Sequence, residues 1–158
     1  MKTREDVDRS NLGVLGVSMG GSVAIMAAAM TPDIKVVVVD SLFASATRGI
    51  EEGFTRVTGL PRFPFAPVAL TIIEWRLGIS LDDIAPIEQV AAFSPLRRLL
   101  IHGTADTHVN SGNSEDLFAA AGEPTLILLP GIEHAMGMKD VTDEYTDLIV
   151  RLFDLHLD

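Results

Sequence analysis

An α/β fold, a parallel sheet of about four strands flanked by helices, is what this sequence predicts, and three observations predict it. Residues 12–17, 35–40, 98–101 and 125–129 are short, mostly apolar runs, as strands buried on both faces are. Segments of helical length or pattern stand between them, so strand and helix alternate along the chain. At 158 residues, 47% of them hydrophobic, the chain can bury one sizeable core, as a single domain over residues 1–158.

Residues 3–10 are charged and read as a lead-in. The run 12–17 is too uniformly apolar for a strand with one wet face. Residues 21–30, rich in alanine and too long for a strand, read as a helix that Thr31-Pro32-Asp33 ends. Residues 35–40 are β-branched, and two such strands joined by a helix form a right-handed βαβ unit. A helical pattern covers 43–57. Pro61, Pro64 and Pro67 then mark residues 59–67 as a loop. Residues 68–77 read as a helix carrying Trp75, and Pro86 opens a short helix within the mixed stretch 81–93. After strand 98–101, Asn110 or Ser111 is placed to cap a helix running to about residue 121. Strand 125–129 closes at Pro130-Gly131. The last helix starts near Thr142, with Leu148, Ile149, Leu152, Phe153 and Leu155 as its expected buried stripe.

Composition narrows the function. A formal charge of −10 disfavours nucleic acid and anionic membrane surfaces as partners, since both would be repelled. With no cysteine there is no disulfide framework, thiolate nucleophile or zinc–thiolate site. Residues 1–6 are charged with no apolar stretch behind them, so no signal peptide is expected and a cytoplasmic location fits. The most apolar helix is too short to span a bilayer.

The chemistry centres on Gly16-Val17-Ser18-Met19-Gly20, a G-x-S-x-G between a predicted strand and a predicted helix. That is the nucleophile-elbow pattern, in which flanking glycines let strand and helix pass closely while the serine Oγ stands clear at the positive end of a helix. Read alone, it is also compatible with a glycine-rich turn that happens to hold a serine. Asp106 likewise reads as a turn-forming aspartate before a helix, and His134 as a loop histidine.

Taken together, the elbow, His102-Gly103-Thr104-Ala105-Asp106 after one strand and Gly131-Ile132-Glu133-His134 after the last resemble an α/β-hydrolase. The order Ser18, Asp106, His134 is that superfamily's order. The resemblance runs over the whole chain and is closest to the esterases and prolyl-oligopeptidase-like peptidases. It implies an α/β-hydrolase-like, truncated sheet with a helical cap insertion over about 43–95. It also implies Ser18 as nucleophile, His134 as its base and Asp106 as the group orienting the imidazole. No cofactor or metal is implied.

Rival assignments exist. Asp40 also ends a predicted strand, a position from which some members draw their acid. His102, Asp106 and His108 have the look of a metal-ligand cluster but lack a further carboxylate or thiolate. His102 reads better as a hydrogen-bonded strand-end residue, His108 as a cleft residue and His156 as a surface one. Ser41 and Ser45 are expected to cap the helix that follows them.

Acyl transfer needs oxyanion donors. The Met19 backbone N–H is one; the second comes, in the superfamily, from a loop after an earlier strand. Only ten residues precede Asn11, so the expectation is that this loop and its strands are lacking. Strand 12–17 would then have an open edge, for which pairing with a second copy in a homodimer is the expected cover. Over Ser18, the insertion offers Phe54, Leu60, Phe63, Phe65, Leu70 and Trp75, of which Phe54, Phe63, Phe65 and Trp75 are the expected pocket lining. An apolar pocket suits a small-molecule ester of modest size. A serine esterase working through an acyl-enzyme is therefore expected. A serine peptidase is the alternative within enzymes, and a binding or assembly subunit without efficient catalysis the alternative outside them.

Overall fold

The computed structural model describes residues 7–8, 10–92, 98–122 and 124–157, and every structural statement below concerns those residues. The lead-in expected over 3–10 lies mostly outside them, as do residues 93–95 at the end of the expected insertion. The elements run β1 (Leu12–Val17), α1 (Met19–Met30), β2 (Ile34–Asp40), α2 (Ala46–Thr58), α3 (Arg62–Leu77), α4 (Pro86–Gln89), β3 (Arg98–Gly103), α5 (Gly112–Ala120), β4 (Thr125–Leu129), α6 (Gly137–Asp140) and α7 (Thr142–Leu157). The strands pair in the order β1-β2-β3-β4, all parallel.

Side-chain alternation explains why the strand sequences are apolar throughout. Val37, Val39 and Leu100 face one side, against Ala24, Ile25 and Ala28 of α1 and Leu117 of α5. Their neighbours Val38, Leu99 and Ile101 face the other, against Tyr145 and Ile149 of α7. Both faces of β2 and β3 are thus covered, and an inward-outward polar pattern has no place there. The outer strands are wetter. Leu15 and Val17 of β1 are exposed, and β1 pairs only with β2.

Two expectations need correction. Residues 59–67 are not a loop throughout, because α3 begins at Arg62. Pro61 is its N-cap, Phe63 is non-helical, and regular helix follows. Pro64 therefore opens the regular helix, where backbone N–H groups lack an intrahelical acceptor and proline is tolerated, whereas Pro67 lies inside it. In α7, Leu155 is 75% exposed. It lies six residues past Ile149, which turns it about 240° away from the sheet. The buried stripe instead includes Tyr145, one turn before Ile149. No helix is long and apolar enough to cross a membrane.

Candidate active site

Ser18 stands between β1 and α1 with φ 53 and ψ −125, a sparsely populated conformation for a non-glycine residue. Its N–H is bonded to the Asp40 carbonyl at 2.8 Å, which fixes the turn against the end of β2. A Cβ on Gly16 would lie 2.3 Å from the Gly20 carbonyl oxygen, so only glycine permits strand and helix to approach this closely. Gly20 itself does not serve that purpose, since a Cβ there would enter open space. Gly21 does, with its Cβ position 3.2 Å from the Gly16 carbonyl oxygen. Ser18 occupies the N-cap position of α1 yet makes no capping bond with its side chain. The hydroxyl points elsewhere.

Ser18 Oγ lies 2.9 Å from His134 Nε2, and His134 Nδ1 lies 2.6 Å from Asp106 Oδ2. Since a carboxylate accepts, Nδ1 carries the ring proton and Nε2 receives the serine hydroxyl's hydrogen. The loops carrying the two partners are stitched together. Thr104 N–H donates to Leu129 O at 2.9 Å and Ala105 N–H to Ile132 O at 3.0 Å. Gly131 N–H donates to Thr104 Oγ1 at 2.9 Å.

Asp106 is buried among donors. Oδ1 accepts from the backbone N–H groups of His108 and Val109 at 2.8 and 2.9 Å. Burial by itself would raise its pKa. The hydrogen bonds from His102, Val109, His134 and His108 outweigh that and hold the carboxyl below its ordinary range. His102, fully buried, sets Nε2 at 3.0 Å from the Val109 carbonyl and 3.2 Å from Asp106 Oδ2. Both are acceptors, so Nε2 carries the proton and Nδ1 accepts from Ser114 Oγ at 2.7 Å. His108 lines the cleft, its ring 5.0 Å from that of His134.

Asp40 is engaged elsewhere. Its Oδ2 accepts from Tyr145 OH and its Oδ1 from Ser41 Oγ, each at 2.8 Å. Ser41, at φ 54, does not cap α2 as expected; its Oγ accepts from Ala135 N–H at 3.2 Å. Asp40 thus anchors the residue next to His134, a role that sequence gave no sign of. Burial, with the adjacent Asp40 charge and its hydrogen bond, raises the Tyr145 pKa. Ser45 does cap α2, accepting from Arg48 N–H at 3.2 Å.

A cavity of about 610 Å³ opens over Ser18 and His134. Its apolar walls are Val23 and Met26 of α1, Phe43, Ile50 of α2, and Ile84. Met19, the first residue of α1, also lines it. The expected aromatic lining is not there. Phe54 is buried, but in an adjoining cavity of about 390 Å³ between α2 and α3. Phe63 and Trp75 are each 81% exposed, and Phe65 is 43% exposed. Leu60 and Leu70 do not line the cavity either. The reason is geometric: α3 packs on α2, away from Ser18, and α1 together with residues 43–50 closes the cavity instead. The apolar residues of α1 are helix-core residues by pattern, and no sequence signal separates those facing the cavity.

The sequence model described as the prolyl oligopeptidase family matches residues 1–157. An Escherichia coli O157:H7 protein named uncharacterized protein YfhR is 32% identical over 144 residues, which is 89% of this chain and 44% of that protein. The YfhR of Escherichia coli K12 is 31% identical over the same shares. The chain therefore spans less than half the length of these curated relatives. Among solved structures, the Pyrococcus furiosus esterase Pf2001 superposes with a TM-score of 0.69 at 19% identity, over 94% of this chain and 55% of that one. The Pyrococcus horikoshii acylaminoacyl peptidase superposes at 0.72 and 14% identity, over 99% of this chain and 26% of that one. Both likenesses concern the fold, that of the α/β-hydrolases.

Proposed function

This chain belongs to the prolyl oligopeptidase family, a family of hydrolases, and on that premise we propose that it cleaves carboxylic esters with Ser18, His134 and Asp106 as a catalytic triad. The observation that carries the reading is the hydrogen-bonded line from Ser18 Oγ through His134 to the buried Asp106. As Oγ attacks the ester carbonyl carbon, its proton passes to His134 Nε2, and Asp106 stabilises the imidazolium. The tetrahedral intermediate collapses when His134 returns that proton to the leaving alkoxide, which departs as an alcohol. Water then attacks the acyl-serine, giving its proton to His134, and the acid leaves as Oγ is reprotonated. The Met19 N–H, at the start of α1, is the proposed oxyanion donor, since N–H groups in a first helical turn have no intrahelical acceptor.

An ester is favoured over a peptide because the cavity walls are mainly apolar. Peptide cleavage is the second reading, supported by the family's own description. Hydrolysis of p-nitrophenyl butyrate, set beside that of N-acylated p-nitroanilide amino acids, tests the choice. Turnover of the ester that disappears in Ser18→Ala is the expected result; faster cleavage of the anilides would move the assignment to a peptidase.

A further inference from the structure

Arg56, in the last turn of α2, lines both the cavity over Ser18 and the adjoining one beneath α3. Neither cavity is lined by an aspartate or glutamate. That is notable in a chain with 22 acidic and 12 basic residues. Nor is Arg56 spoken for, since it has no ion-pair or hydrogen-bond partner among the described residues. Glu52, one turn earlier, is bound by Arg48 Nε at 2.8 Å, by Asn113 Nδ2 at 3.0 Å and by Asn110 N–H at 3.1 Å. Glu51 is paired with Arg62. A cation in a last turn complements the helix dipole, but that does not require it to border a cavity.

The cavity therefore has a reactive end at Ser18 and His134, apolar walls, and one uncommitted guanidinium. Arg56 is exposed, so water solvates its guanidinium at the cavity rim until an anionic group replaces that water. We propose that the substrate is an ester with an apolar body that carries a carboxylate, received by Arg56. This goes beyond the ester assignment and rests on it. A guanidinium suits a carboxylate because its planar N–H pairs match the two oxygens.

The test compares matched pairs. The p-nitrophenyl monoester of glutaric acid is set against p-nitrophenyl pentanoate for the acyl side. For the alcohol side, 4-(butyryloxy)benzoate is set against its methyl ester. In at least one pair the carboxylate form is expected to have the higher kcat/KM, by about tenfold. That advantage should shrink as salt is raised. Arg56→Gln should cut the carboxylate-to-neutral ratio by roughly tenfold, and Arg56→Lys should retain part of it. Ratios identical in wild type, Arg56→Gln and Arg56→Glu, with the neutral esters still hydrolysed, would overturn the proposal alone. A folded protein that hydrolyses neither member of either pair would remove the ester assignment, and this proposal with it.

Discussion

A Cβ on Gly103 would lie 2.2 Å from the carbonyl oxygen of Ile132. The end of β3 and the loop after β4 are in backbone contact there, and this contact sets Asp106 beside His134. Gly103→Ala must push the 131–134 loop outward. Such overpacking typically costs about 1–3 kcal/mol of stability. Ester turnover should fall further than that loss explains, by roughly 10²-fold, because a misplaced base fails to reach Ser18. Thermal melts and kcat measured on the same preparation check this. A variant as active as wild type would show the contact to be slack.

Asp106→Asn keeps the shape and removes the charge. Turnover should drop by roughly 10³–10⁴-fold, since the imidazole loses both its tautomer control and its counter-charge. The carboxyl's lowered pKa also fixes the sign of a stability effect. A depressed pKa contributes stability above the unfolded value of about 3.9, and that contribution fades as pH falls further. Wild type should therefore exceed Asp106→Asn in urea midpoint at pH 6–7, with the gap closing below about pH 4. A gap independent of pH would contradict the assignment of the depressed pKa to Asp106.

Much of this was legible in the sequence, and the boundary of legibility has a physical cause. Ser18, Asp106 and His134 each follow a strand, and these strands, the wetter outer ones included, announce themselves as mostly apolar runs. What connects those strand ends was hidden. His102, Ser41, Asp40 and Tyr145 act through partners 12, 94 and 105 residues away in sequence, and no local pattern encodes such pairs. The cavity was misread for a related reason. Aromatic residues in α2 and α3 carry the strongest apolar signal, yet which side of a helix meets a cavity depends on tertiary packing. Phe63, Phe65 and Trp75 ended up on the outside.

His102 donates to Asp106 and is a positioning residue for it. Replacing it by leucine concentrates the Asp106 charge on His134 and favours the imidazolium. The acid limb of the pH profile of kcat/KM should move to higher pH. His102→Gln, which keeps a donor near Nε2, should restore much of the wild-type profile. Lower activity in His102→Leu at every pH with an unmoved limb would indicate a purely structural role.

The outer edge of β1 has no partner strand among the described residues, and Leu15 and Val17 are exposed along it. We propose that a second copy pairs there, β1 against β1, antiparallel about a two-fold axis. Light scattering should return a dimer that Leu15→Lys dissociates. A monomer, or a dimer that parts on Trp75→Ser and ignores Leu15→Lys, would refute that pairing.

The most direct test of the account is covalent. Wild type, Ser18→Ala and His134→Ala are incubated with a fluorophosphonate probe, and the modified peptide is located by mass spectrometry. The account predicts a single adduct on Ser18 in wild type, none in Ser18→Ala, and labelling slowed by orders of magnitude in His134→Ala. A folded wild-type protein that stays unlabelled, or reacts at another residue, would contradict it.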